Sequence, residues 1–325
     1  MGCRPLRSRS VPDPAKLLVS VVIPTYDRAD LVSRALDALD RQTLASDRFE
    51  VVVVDNGSVD DTAERLGRRS DPFALRVVSL PHNRGPAGAR NAGLAAATAP
   101  TVAFTDSDCV PGDRWLEAGL AALTPGVRLV QGRTEPDPAA EVGPWSYTQR
   151  ITELNGLFET CNVFYRTADL RAVDGFDEDI GYFGEDTVAA WTVLRQGGSA
   201  AFANDALVHH EVFDHGLGWY LRWTRNYVNW PLVLRRCPEL RRELPLGGWF
   251  LSYRRAQFTL GLVGLVAVPK RPWLGVALLV PYLALIRPRG LRPAALASSG
   301  RLIAFDAGVT LALVRGALRH RRIVL

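Results

Sequence analysis

The chain has 325 residues, 47% of them hydrophobic, and 28 glycines, enough to bury a large α/β core with an appendage, and not the make-up of a disordered or fibrous protein. Its four cysteines, Cys3, Cys109, Cys161 and Cys237, show no C-x-x-C spacing, which argues against a zinc site or redox pair and fits a reduced, cytosol-facing domain. The net charge of +5 hides an asymmetry, because residues from Gly216 onward hold 18 Lys/Arg against 3 Asp/Glu, leaving 21 against 31 before them; an acidic front with a basic, apolar rear suits attachment to an anionic surface, membrane rather than nucleic acid.

In chain order, residues 1–16 are basic and Pro-rich without the apolar stretch of a secretory signal, and read as a loose tail. Residues 17–215 follow as the main domain, divided at 135/136 into two halves. In the first, short β-branched runs at 19–24, 49–55, 75–80 and 101–106 read as buried parallel strands. Between them, 31–39, 62–66 and 87–97 have helical spacing. This alternation predicts an α/β fold of the doubly wound, Rossmann-like kind, whose ligands bind beyond the carboxyl ends of the strands. Four polar loops converge there: Thr25-Tyr26-Asp27, Asp55-Asn56-Gly57-Ser58, His82-Asn83-Arg84-Gly85 and Asp106-Ser107-Asp108.

A Pro/Asp/Glu-rich linker is expected around 135–144. A strand over 160–166 and a helix over 187–195 come next, with Gly175-Phe176-Asp177 and Gly184-Glu185-Asp186 between them, and an apolar run ends at His209-His210. From 216 to 325 the composition turns to Trp, Arg and Leu, with apolar runs at 256–269, 273–286 and 302–318. The first two are shorter than the ~20 residues that span a bilayer. Basic residues flank them at Arg254-Arg255, Lys270-Arg271 and Arg287, Arg289 and Arg292, so a monotopic extension on the cytoplasmic face is expected, with Trp219, Trp223, Trp230, Trp249 and Trp273 as candidate interfacial anchors. Short spanning helices and a purely soluble second domain are the alternatives.

Asp106 and Asp108 place two carboxylates two residues apart past a buried strand, where they suit a hard divalent cation, Mg²⁺ or Mn²⁺, beside phosphate oxygens. The ordered strings V-S-V-V-I-P-T-Y-D-R, V-V-V-V-D-N-G-S-V-D-D-T, N-R-G-P-A-G-A-R-N-A-G and F-T-D-S-D-C-V-P resemble the family-2 glycosyltransferases, of the bacterial, non-processive kind, over roughly residues 18–210. The resemblance implies an A-type glycosyltransferase fold, a mainly parallel sheet flanked by helices.

By that resemblance Pro24, Thr25, Tyr26, Asp27, Asp55, Ser58, Arg84, Gly88, Arg90, Asn91 and Asp106 line the nucleotide, with Asp60 in the same loop as Asp55. Asp106 and Asp108 hold the metal, and His210, ahead of its neighbour His209, completes the site. Asp186 acts as catalytic base with Glu185 beside it, and Asn162 and Glu185 face the sugars. The implied reaction is inverting transfer from a nucleotide sugar to a hydroxyl of a glycan or lipid-linked glycan, as in cell-envelope polysaccharide synthesis. A polyprenyl-phosphate acceptor and a non-catalytic nucleotide-binding scaffold are the competing readings. No Q-x-x-R-W string is present, which favours single-sugar transfer. Oligomeric state is open.

Overall fold

A computed structural model describes residues 16–143, 145–288, 293–321 and 323–324. The expected tail at 1–15, the end of the expected linker at Pro144, and Arg289 and Arg292 of the basic clusters lie outside the described residues.

The chain falls into two compact units, one of residues 1–181 and 185–213, the other of residues 182–184 and 214–325. In the first, strands β1 (Val19–Thr25), β2 (Phe49–Asp55), β3 (Ala74–Ser79) and β4 (Thr101–Thr105) alternate with helices α1 (Ala29–Leu39), α2 (Thr62–Arg68) and α3 (Gly85–Ala96). β2 is buried at every residue, as a strand covered on both faces must be. Its alternate side chains feed two cores. Val51 and Val53 join Val21, Ile23, Val32 and Leu36 on the α1 side, while Val52 and Val54 join Val22, Ala89 and Leu94 on the α3 side, the two-residue period of a strand. Helix α1 buries Ala29, Val32, Ala35, Leu36 and Leu39, one face at helical spacing. Helix α3 lies close enough to β1 that a Cβ at Gly93 would meet Val22 Cγ1 at 2.3 Å, so that position needs glycine.

The remaining strands are β5 (Cys109–Pro111), β6 (Val127–Pro136), β7 (Ser146–Tyr147), β8 (Asn162–Arg166) and β9 (Ser199–His210), with helices α4 (Trp115–Ala122), α5 (Thr167–Arg171) and α6 (Glu185–Leu194). The eight-stranded sheet runs β3-β2-β1-β4-β8-β6-β9-β5. The β3-β2-β1-β4 half is parallel throughout. Beyond β4 the sheet is mixed: β8 is antiparallel to both neighbours, β6 and β9 run parallel, and β5 closes the edge antiparallel to β9. The alternation expected of the first half is therefore present there. Three readings need correction. β3, expected as a buried strand over 75–80, spans Ala74–Ser79 at the sheet edge with no residue buried. Glu135 and Pro136, expected in a linker, are the last residues of β6, paired with His209 and His210 of β9. β9 begins seven residues before the apolar run that marked it, because its polar start at Ser199 pairs with Val127.

Register explains why the polar loops share one rim. Thr25 pairs with Asp55 and Asp55 with Ser79, so three strands end level, and Thr105 of β4 pairs with Asn162 of β8.

The second unit contains α7 (Leu217–Trp223), α8 (Trp230–Arg236), α9 (Pro238–Glu243), α10 (Pro245–Gly248), α11 (Tyr253–Ala267), α12 (Pro272–Leu285) and α13 (Pro293–His320). Asp306 of α13, fully buried, accepts from Arg254 at 3.0 Å and from Tyr282 Oη at 2.7 Å and lies 2.6 Å from Arg255. It therefore ties α11, α12 and α13 together. No described helix is long and apolar enough to cross a membrane.

Candidate active site

At the rim, the β1 and β2 loops are knitted by Asp27, which sits at φ 50°. Its amide donates to Ser58 Oγ at 3.0 Å, and its Oδ1 accepts from Val59 N at 2.8 Å. Asp enters this left-handed region more readily than most residues that carry a Cβ, and here the bonds to the β2 loop hold it there. Asp55 is buried and accepts from Ser58 N at 3.0 Å. Asn56, which the sequence reading did not single out, reaches across to α3: its Nδ2 donates to Asn83 Oδ1 and Gly85 O, each at 3.1 Å, and its Oδ1 accepts from Arg84 N at 2.9 Å. Thr25 Oγ1 is buried without a partner, and Tyr26 is exposed. Pro24 precedes them in β1, paired with Val54.

Helix α3 carries the charge that joins the two halves of the unit. Arg90, 6% exposed, donates from Nη1 to Glu185 at 2.7 Å and from Nη2 to Asp106 at 3.0 Å. Burial works against its charge, but Asp106 and Glu185 outweigh that and raise its pKa. One guanidinium thus connects the D-S-D loop after β4 with the G-E-D start of α6, whose carboxylates are also favoured by the helix N-terminus. Removing it would strand Glu185 uncompensated. Arg90→Met is therefore expected to lower the unfolding free energy by about 3–5 kcal/mol, measured by urea denaturation.

Glu185 is buried, and burial followed by the charge of Asp186 pushes its pKa up against the pull of Arg90. Asp186 is half-buried, with Oδ1 accepting from Thr187 N at 2.7 Å. Burial raises its pKa too, while Arg90 lowers it. Close by, burial and then Asp186 lift Glu159 to about 7, and Tyr165 Oη is buried without a partner. Nothing in the spacing of Glu159 or Tyr165 marks them out.

The two aspartates of D-S-D separate. Asp106 faces Arg90, whereas Asp108 lies 3.8 Å from His210 Nε2 and forms an ion pair with Arg28. Asp108, Cys109 and His210 bring their donor atoms within 4.8 Å of one another. His210 Nδ1 lies 2.7 Å from Glu211 O; a carbonyl only accepts, so Nδ1 carries the hydrogen and Nε2 is the ring atom offered toward Asp108. A carboxylate with an imidazole suits a divalent cation. Burial holds the Cys109 thiol well above its ordinary range, which makes it the weakest donor of the three. Arg28 was legible as the last residue of the P-T-Y-D-R string, and its guanidinium also lies over Phe213 at 5.6 Å.

Several expected site residues have other tasks. Asn162, expected near the sugars, is fully buried with its amide spent: Oδ1 accepts from Trp115 Nε1, and Nδ2 donates to Arg133 O and Ala206 O, all at 2.8 Å. A Cβ at Gly132 would lie 2.3 Å from that amide. Asn162 is a tie across β8, β6 and β9. Each buried group left without a partner costs about 1–3 kcal/mol, so Asn162→Ala is expected to shift the denaturation midpoint sharply downward with little preference between substrates. Asn91 exchanges bonds with the Phe176 main chain, 2.8 Å each way, and so pins the Gly175-Phe176 turn. Arg84 donates to both oxygens of Glu178, at 2.8 and 2.9 Å, and Gly88 lets that pair pack, since a Cβ there would meet Arg84 Cβ at 2.6 Å.

Residues 20–174 match the model of glycosyl transferase family 2. Glycosyltransferase AglE of Haloferax volcanii is 32% identical over 215 residues, which cover 61% of this chain and 68% of that protein. A validoxylamine A glucosyltransferase from Streptomyces hygroscopicus subsp. jinggangensis is 34% identical over 220 residues, 55% of this chain and 52% of its own length. The chain thus spans about two thirds of the first relative and about half of the second. Among solved structures, mannosyltransferase PcManGT from Pyrobaculum calidifontis, in complex with GDP-Man and Mn²⁺, superposes with a TM-score of 0.59 at 22% identity, covering 95% of this chain and 89% of that one; at that identity the likeness shows the fold.

Proposed function

The chain belongs to glycosyltransferase family 2, and from that premise we propose that it carries out inverting transfer of a sugar from a nucleotide-sugar donor to a hydroxyl of a glycan or lipid-linked glycan at the cytoplasmic face of a membrane. The observation that carries this reading is Arg90, bonded at once to Asp106 and Glu185, which joins the donor-side and acceptor-side acids into one centre.

Asp108 and His210 would hold Mg²⁺ or Mn²⁺, with Asp106 on the ribose side. When bound, such a cation neutralises charge developing on the departing nucleoside diphosphate. Arg28, already paired with Asp108, adds a second positive charge there. The β1 and β2 loops, through Thr25, Tyr26, Asp27, Asp55 and Ser58, frame the nucleotide, with Arg84 and Gly88 at the mouth of α3. Asp186 takes the acceptor proton as the acceptor oxygen bonds to the anomeric carbon and the bond from that carbon to the diphosphate breaks. Its raised pKa suits a general base working near neutral pH. The Arg90–Glu185 pair anchors the start of α6, where Asp186 sits. No enzyme-bound sugar is needed.

A panel of UDP-, GDP- and dTDP-sugars, scored by release of nucleoside diphosphate with and without Mn²⁺ or Mg²⁺, tests the proposal. One donor should be turned over in a cation-dependent manner. Binding of nucleotide with no release from any donor would favour the scaffold reading instead.

A further inference from the structure

Helix α12 carries no charged residue from Pro272 to Leu285 and is apolar on every side. A helix of that kind is stable where apolar material encloses it, yet only its Gly275 and Tyr282 are buried. The cause lies in how it meets α11. Gly264 and Gly275 bring the two helices nearly backbone to backbone, since a Cβ at Gly264 would lie 2.7 Å from Gly275 O. Small residues are thus spent on the contact, and large ones face outward: Leu262, Val266 (80% exposed), Trp273 (72%), Val280 and Leu283. Phe258 and Tyr282 pack inside with rings 5.0 Å apart, but glycines at the close crossing with large apolar side chains left outside are the arrangement of helices packed in an apolar medium, and water-exposed surfaces rarely carry so large an apolar patch.

Charge selects the medium. An open hollow of about 530 Å³ along α11 is walled by Leu262, Val263, Val266 and Ala267 and ended by Lys270 and Arg271. An apolar wall closed by two cations matches an acyl chain below an anionic headgroup. The helices have 15 and 14 residues, about 22 and 21 Å at 1.5 Å per residue, short of the ~30 Å hydrocarbon core. Tip-first insertion would carry Lys270 and Arg271 into hydrocarbon, whereas a hairpin lying flat keeps both at headgroup level. The pairing of Asp306 with Arg254, Arg255 and Tyr282 braces the hairpin on α13, away from the exposed face.

We propose that the α11–α12 hairpin lies flat in the interface of an anionic phospholipid leaflet, with Lys270 and Arg271 on the lipid phosphates. This deepens the membrane-proximal part of the proposed function and rests on that part alone. The test is flotation of the full chain with phosphatidylcholine vesicles, with or without phosphatidylglycerol, alongside donor turnover measured without vesicles. The wild type should float with the anionic vesicles. Lys270→Glu/Arg271→Glu should partition at least tenfold more weakly, and Val266→Asp/Leu283→Asp should stay in the soluble fraction, while both variants retain nucleoside diphosphate release. Wild type that remains soluble with either vesicle, or variants that float like it, would overturn the proposal. So would a dimer in sedimentation that Val266→Asp/Leu283→Asp splits, which would assign the face to a second copy. Flotation without any donor turnover would instead defeat the catalytic reading and leave this one standing.

Discussion

Asp186→Asn is expected to lower sugar transfer by about 10²–10⁴-fold, the usual worth of a general base, while nucleotide binding stays close to wild type. The substitution keeps shape and the acceptor for Thr187 N but removes the proposed general base. Steady-state kinetics beside calorimetry with the nucleoside diphosphate separates the two effects. The acid limb of the pH–rate profile follows from the same carboxylate. Burial raises its pKa, so the ionised, working form is lost as pH falls, with a midpoint above the ordinary carboxylate range. Full transfer by Asp186→Asn would instead point to an acceptor that is already an anion, such as a polyprenyl phosphate, which needs no base.

Asp108→Asn is the second large effect. Loss of one group that offsets charge developing on the leaving diphosphate typically costs about 10²–10³ in rate. Here the same change weakens the proposed carboxylate ligand of the cation, so activity should fall by at least that much and respond only to much higher Mn²⁺. Asp113→Asn, at an exposed pair with Arg41, is the control and should leave both rate and Mn²⁺ response unchanged. A cation response in Asp108→Asn like that of the wild type would remove Asp108 from the site.

β1, β2 and β4 were readable because they are buried at nearly every residue, and β1 and β2 also spell β-branched runs, each followed by a helix; β3, at the sheet edge, showed only its short Val77-Val78 run. β5, β6 and the start of β9 were not. Their pairings are long-range, with β6 running beside a strand some seventy residues later, and nothing local in Ser199-Ala200-Ala201 or Glu135-Pro136 announces a partner. The family was legible because four ordered strings occur together, and the match over residues 20–174 with the related proteins bears that out.

Individual side chains were harder to read. Asp106, Arg90 and Glu185 meet although they lie 16 and 95 residues apart, and motif order suggested only that they share a rim. Asn162 and Asn91 look like ligand-binding amides in sequence. In the fold, buried Asn162 has its amide taken up by main chain and an indole, and half-buried Asn91 has its own taken up by the Phe176 main chain and the Glu178 carboxylate, a distinction that packing makes and spacing cannot. Arg28 and Cys109 stand beside residues that were singled out and took on meaning only once β9 brought His210 next to β5.

Asp108 and His210 are proposed to form one cation site serving a nucleotide bound at the same rim. The most direct measurement is Mn²⁺ binding followed by electron paramagnetic resonance, in the presence of the nucleoside diphosphate released from the working donor, for the wild type, Asp108→Asn and His210→Ala. One tightly held Mn²⁺ in the wild type, lost in Asp108→Asn and weakened in His210→Ala, is the predicted result; equal Mn²⁺ binding by all three proteins would contradict it.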